Sequence, residues 1–61
     1  MRVYIRYKTL EPVKEGESRI KSRTYETKNI TSNSVGLDIE TDDKKYDVYL
    51  HEQIILLQIM E

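Results

Sequence analysis

Three features of this sequence predict a small all-β fold. Alanine, the strongest helix former, is absent, while Ile, Val, Thr and Tyr are plentiful. The first ten residues alternate polar and apolar side chains with period two. Two further runs, Val35–Thr41 and Tyr46–Leu50, flank an Asp-rich turn as the arms of a hairpin do. Together they describe an antiparallel meander or a partly open barrel of four or five strands.

The first strand covers Met1–Leu10. Val3, Ile5, Tyr7 and Thr9 fall on one face, and Arg2, Tyr4, Arg6 and Lys8 on the other. Glu11-Pro12 ends it, because proline has no N–H and restricts the residue before it. Val13–Glu17, with Gly16, reads as a loop. Ser18–Ile30 alternates more weakly: Arg19, Lys21, Arg23, Tyr25 and Thr27 share one face, and neither face is apolar. Such a strand suits a sheet edge, where charge discourages further pairing. A bulge that turns Tyr25 inward is compatible with this pattern. Asn29–Ser34 is rich in Thr, Ser and Asn and reads as a turn.

The hairpin follows. Val35, Leu37 and Ile39 are expected inward, Asp42-Asp43-Lys44 forms the turn, and Tyr46, Val48 and Leu50 return along the inner face with Asp47 and Tyr49 outward. His51-Glu52-Gln53 reads as a single tight turn of 3₁₀ type. Ile54–Met60 is apolar on both faces, as in a strand covered on two sides. Ile55, Leu57 and Ile59 lie on one face, and Ile54, Leu56 and Met60 on the other. Periodicity alone leaves residues 50–60 open to a short C-terminal helix instead; length and Ile content favour the strand. The expected core is Leu37, Ile39, Val48, Leu50, Ile55 and Leu57. The outline of Leu37–Met60, a hairpin, a tight turn and an apolar strand, is similar to the later strands of small SH3-like or Sm-like barrels.

Sixty-one residues fit one domain, 1–61, whose core supplies only about 3–5 kcal/mol without a staple. There is no Cys, hence no disulfide and no thiolate metal site, and a single His, His51. Glycine occurs only at positions 16 and 36, so no phosphate-cradling loop exists, and no nucleophile–base motif is present. Asp42, Asp43 and Asp47 do not follow the spacing of a Ca²⁺ loop. The start of the chain has charges every few residues and no apolar leader segment, and the longest apolar run, residues 54–57, is far too short to span a bilayer. The expectation is a cytoplasmic protein that is not an enzyme, with no cofactor, no metal and no membrane partner.

Charge is segregated along the chain. Residues 1–28 carry eight basic and four acidic side chains, and residues 29–61 two basic and seven acidic ones, so a formal total of −1 conceals two halves of opposite sign. This pattern points to recognition of a protein partner, as in a phage-type inhibitor or regulator of a larger cytoplasmic protein. The candidate contacts are Arg2, Tyr4, Arg6, Arg19, Lys21 and Arg23 on the basic side, or Asp38, Glu40, Asp47 and Tyr49 on the acidic side. The alternative is a single-stranded nucleic-acid binder. If the basic faces of the first two strands coincide, phosphates would meet the cations and bases would stack on Tyr4. A pI near 5.8 weighs against this reading. The two-faced last strand further predicts a homodimer with Ile54, Leu56 and Met60 at its interface.

Overall fold

The computed structural model describes residues 1–60. Six strands form two three-stranded antiparallel sheets. β1 (Arg2–Lys8) lies between β2 (Ile20–Glu26) and β6 (Ile54–Met60) in sheet A. β4 (Gly36–Glu40) lies between β3 (Ile30–Ser32) and β5 (Tyr46–Leu50) in sheet B. Among the described residues the only helical element is the 3₁₀ turn His51–Gln53 between β5 and β6. The protein is thus mostly β, as its composition predicts. It departs from the expected meander or barrel of four or five strands: there is one more strand, and hydrogen bonding is divided between two sheets.

The additional strand is β3, within the stretch read as a turn. Chain direction changes just before it, at a corner built by Thr27. The buried Thr27 hydroxyl lies 2.7 Å from the Glu40 carbonyl oxygen and 2.9 Å from that of Asn29, and it accepts the Asn29 amide at 3.2 Å. These bonds satisfy backbone groups that lie outside the ladders and free Ile30–Ser32 to pair with Ile39, Asp38 and Leu37. Asn33 then closes the turn into β4, its side-chain oxygen accepting the amides of Val35 (2.9 Å) and Gly36 (3.0 Å).

Val3, Ile5 and Tyr25 of sheet A meet Leu37, Ile39 and Tyr49 of sheet B in one core, with Tyr7, Ile30, Ile54 and Leu57 packed around it. Val3, Ile5, Leu37 and Ile39 face inward as their alternation predicts. Tyr25 also faces inward, without a bulge, because it stands directly opposite Val3.

The return strand β5 is turned over relative to expectation. Thr41 pairs with Lys45 around a three-residue loop, Asp42-Asp43-Lys44, whose last residue takes a positive φ of 62°. That loop sets Ile39 opposite Asp47 and Leu37 opposite Tyr49. Directly opposed residues share a side of the sheet, so the odd-numbered residues of β5 point inward. Tyr49 is core, while Tyr46 and Val48 are exposed. Leu50 is half-buried.

The last strand carries a second correction. Ile54–Met60 is strand, so the helical alternative does not hold. Its pairing with β1 shifts between Arg6 and Tyr7: Arg6 opposes Leu56 and Tyr7 opposes Ile54, which leaves Ile55 as an extra, bulged residue. The bulge exchanges the two neighbours. Ile54, expected beside Leu56 and Met60 at a dimer interface, packs on the core, and Ile55, expected in the core, is exposed.

Candidate partner-binding cleft

The β1–β2 register decides where the cations lie. Arg6 stands opposite Ser22, and Ile5 opposite Arg23. Arg2, Tyr4 and Arg6 therefore occupy the outer face of sheet A, whereas Lys21 and Arg23 occupy the side that bears Val3 and Ile5. The two basic sets do not share a surface, which removes the geometry the nucleic-acid alternative requires. On the outer face Arg2 is paired with Glu26 at 2.7 Å, and an Arg6 guanidinium nitrogen approaches the Tyr4 hydroxyl at 3.5 Å. Hydrogen bonds from Ser22 and then Arg6 lower the Tyr4 phenol below its ordinary pKa. Arg19 precedes β2 and is exposed; its carbonyl accepts the Thr9 amide at 2.8 Å.

Lys21 and Arg23 instead meet residues from the acidic half. At one end of the two-sheet packing an open cleft of about 620 Å³ is lined by Tyr7, Lys21, Arg23, Tyr46, Asp47 and Tyr49 among others. Its aromatic base is Tyr49, whose ring lies 4.7 Å from Tyr7 and 6.4 Å, edge-on, from Tyr25. Arg23 covers the Tyr25 ring at 5.1 Å and reaches the Asp47 carboxylate at 3.3 Å. The same carboxylate oxygen accepts the Tyr25 hydroxyl at 2.6 Å, and the Tyr25 hydroxyl is in turn hydrogen-bonded to that of Tyr49. Since Tyr25 gives its only proton to Asp47, Tyr49 is the donor to Tyr25. The result is a directed chain, Tyr49 to Tyr25 to Asp47. It explains how β5 can turn an aspartate inward: a partly buried carboxylate is tolerated when donors surround it.

Of the residues singled out from sequence, Lys21, Arg23, Asp47 and Tyr49 line this cleft, and Arg2, Tyr4, Arg6, Arg19, Asp38 and Glu40 lie outside it. Tyr49 serves as its buried floor rather than as the exposed contact expected. Tyr7, Glu11 and Tyr46 are among the other residues that line it; the three-residue hairpin loop is the sequence signal that places Asp47 and Tyr49 on its side. His51 is the exposed first residue of the 3₁₀ turn, where its Nε2–H donates to the Asn33 carbonyl at 2.6 Å. Gln53 joins the same turn to β1, accepting the Leu50 amide at 3.0 Å and donating to the Lys8 carbonyl at 2.9 Å. Among the described residues no cluster of three or more His, Cys, Asp or Glu is placed to hold a metal ion, and no helix is long and apolar enough to cross a membrane.

Burial is the main cause of a raised pKa at both Tyr25 and Tyr49; at Tyr25 the hydrogen bond to Asp47 adds to it. A phenol whose folded pKa lies above its unfolded value contributes fully below that unfolded value and loses its contribution as pH rises through the folded one. Stability is therefore expected to stay level through neutral pH with respect to these groups and to fall above about pH 10, where unfolded tyrosines ionise. Ultraviolet titration of the five tyrosines should show two that ionise only as the fold is lost. Five phenols titrating together with the fold intact would contradict the network.

Comparison with protein-family models, curated proteins and solved structures gives no match to this chain.

Proposed function

We propose that this chain is a non-enzymatic protein-binding module, in the manner of a phage-type inhibitor or regulator, and that it grips an exposed segment of a larger protein in the cleft between its sheets. The observation that carries the reading is the lining of that cleft: tyrosines at the base, with Lys21 and Arg23 set against Asp47. Tyrosine and arginine dominate the energetics of protein interfaces, because they combine large apolar area with fixed polar ends. Two cations and two carboxylates, Asp47 and Glu11, within one cleft favour a segment with a hydrophobic anchor flanked by charge, and the opposed signs orient it.

The test is affinity capture from a cytoplasmic lysate with three versions of the chain. Wild type and an outer-face variant, Arg2→Ala with Arg6→Ala, should retain the same protein. A cleft variant, Lys21→Glu with Tyr46→Ala, should lose it, since a hot-spot truncation of ~2 kcal/mol already weakens binding roughly 30-fold. Both cleft positions are exposed, so the fold should persist. Capture that survives the cleft variant and disappears with the outer-face variant would move the site to the outer surface and end this reading.

A further inference from the structure

The two edges of sheet A are unlike. β2 presents Lys21, Arg23 and Glu26 along one edge, the usual means of keeping an edge strand unpaired. β6 forms the other edge, and none of its seven residues is charged. Its backbone pairs with β1 on one side only. Ile55, Leu56, Ile59 and Met60 are 52%, 38%, 50% and 45% exposed. A long, apolar, unprotected edge is a template for another strand.

We propose that β6 pairs antiparallel with β6 of a second copy about a two-fold axis at Gln58, joining the two A sheets into one of six strands. The bulge at Ile55 leaves Leu56–Met60 as the regular part of the edge. Centred on Gln58, the symmetric register sets Leu56 opposite Met60 of the second copy and Leu57 opposite Ile59. Gln58, the single polar side chain of the strand, meets its own counterpart, and an amide carries both donor and acceptor for that purpose. A register centred on Leu57 instead would oppose Gln58 to Leu56 and draw the bulge into the ladder.

The self-matching register, unopposed by charge, favours a second copy as the occupant. Self-pairing repeats every charge of the strand across the axis, and β6 has none to repeat. The nearest cationic strands, the two copies of β1, would be three strand spacings apart, or ~14 Å. That exceeds the ~8 Å over which exposed charges act at physiological salt. The occupant thus differs from the foreign segment proposed for the cleft, which lies between β2 and β5, away from this edge.

Sedimentation equilibrium, at concentrations up to hundreds of micromolar, tests the pairing on three chains. Wild type should approach twice the 7.3 kDa mass of one chain. Leu56→Glu with Met60→Glu should sediment as a monomer. Its glutamates would oppose one another across the axis, and like charges so placed weaken association by about 100-fold or more. Within each monomer the new glutamates stand beside Arg6 and Arg2 of β1, so the fold is retained, as a melting curve will confirm. Leu56→Glu with Met60→Lys should restore the dimer, because each glutamate then faces a lysine. A monomeric wild type would overturn the proposal and leave the edge to a foreign strand. A glutamate pair that still dimerises, or a Glu/Lys pair no better than the glutamate pair, would overturn the register on which it rests.

Discussion

Ile5→Ala is expected to leave this protein largely unfolded at room temperature. Ile5 is fully buried, on the central strand of sheet A, flanked by Arg23 on β2 and Leu57 on β6 and facing the side chains of sheet B. Truncating such a side chain costs about 2–5 kcal/mol, since the lost transfer energy is joined by a cavity the neighbours cannot close. The core of a domain this small supplies only about 3–5 kcal/mol. Among the described residues only Val3, Ile5 and Ile39 are buried completely, with Leu37 the one other buried aliphatic, so few neighbours remain to take over. Ile5→Val, which removes one methylene, should cost about 0.5–1.5 kcal/mol and preserve the transition. Leu57→Ala should fall between the two, because Leu57 is half-buried on an edge strand. Urea unfolding followed by circular dichroism ranks the three variants. An Ile5→Ala midpoint equal to that of wild type would mean that the two sheets do not meet at this residue.

The predicted alternations of β1 and β4 are both present in the fold, and the reason is the same: inward residues there are apolar and outward ones mostly polar, so period two is visible. β2 hides its face because the inward side mixes Tyr25 with Lys21 and Arg23, whose charged ends reach the open cleft. β5 hides its face for a different reason. Tyr46-Asp47-Val48-Tyr49-Leu50 has apolar residues in both registers, and the more apolar set is the one turned away from the core. Hydropathy favours Tyr46, Val48 and Leu50; the three-residue loop favours Asp47 and Tyr49, and the loop prevails because ladder geometry admits no half-step. Along β6, seven residues with no charge give no signal for a bulge, so Ile54 and Ile55 are exchanged.

The candidate site was legible to a similar extent. The segregation of charge, read as the mark of a partner, is used in part within the fold: Arg23 of the basic half pairs with Asp47 of the acidic half, while Arg2 with Glu26 lies within the basic half. Lys21, Arg23 and Tyr49 are brought to one cleft, but the partners that give it form, Tyr7 and Asp47, depend on pairing register. Register is a property of two strands at once and is poorly written in either one.

Gly36→Ala is expected to be as damaging as Ile5→Ala, for the opposite reason: it adds an atom where none fits. Gly36 is buried at the start of β4, opposite Leu50. A Cβ there would overlap the Tyr49 carbonyl oxygen and stand 2.9 Å from the Tyr49 carbonyl carbon and 3.0 Å from the Leu50 Cα. All three atoms are backbone, so no side-chain rotation relieves the overlap. Relief requires β4 and β5 to separate, and Tyr49 would then leave its bond to Tyr25 and the chain to Asp47 with it. Overpacking of this kind costs about 1–3 kcal/mol when neighbours can adjust and more when they cannot, against a total of a few kcal/mol. Gly16 provides the comparison. Its φ of 86° disfavours a side chain, but nothing lies within 4 Å of a Cβ placed there. Gly16→Ala should therefore cost only the ~1–2 kcal/mol of the left-handed conformation. Thermal melting of both variants should rank Gly36→Ala well below Gly16→Ala. The reverse order would show that β4 and β5 do not approach closely at Gly36, and with that the inward placement of Tyr49 would fail.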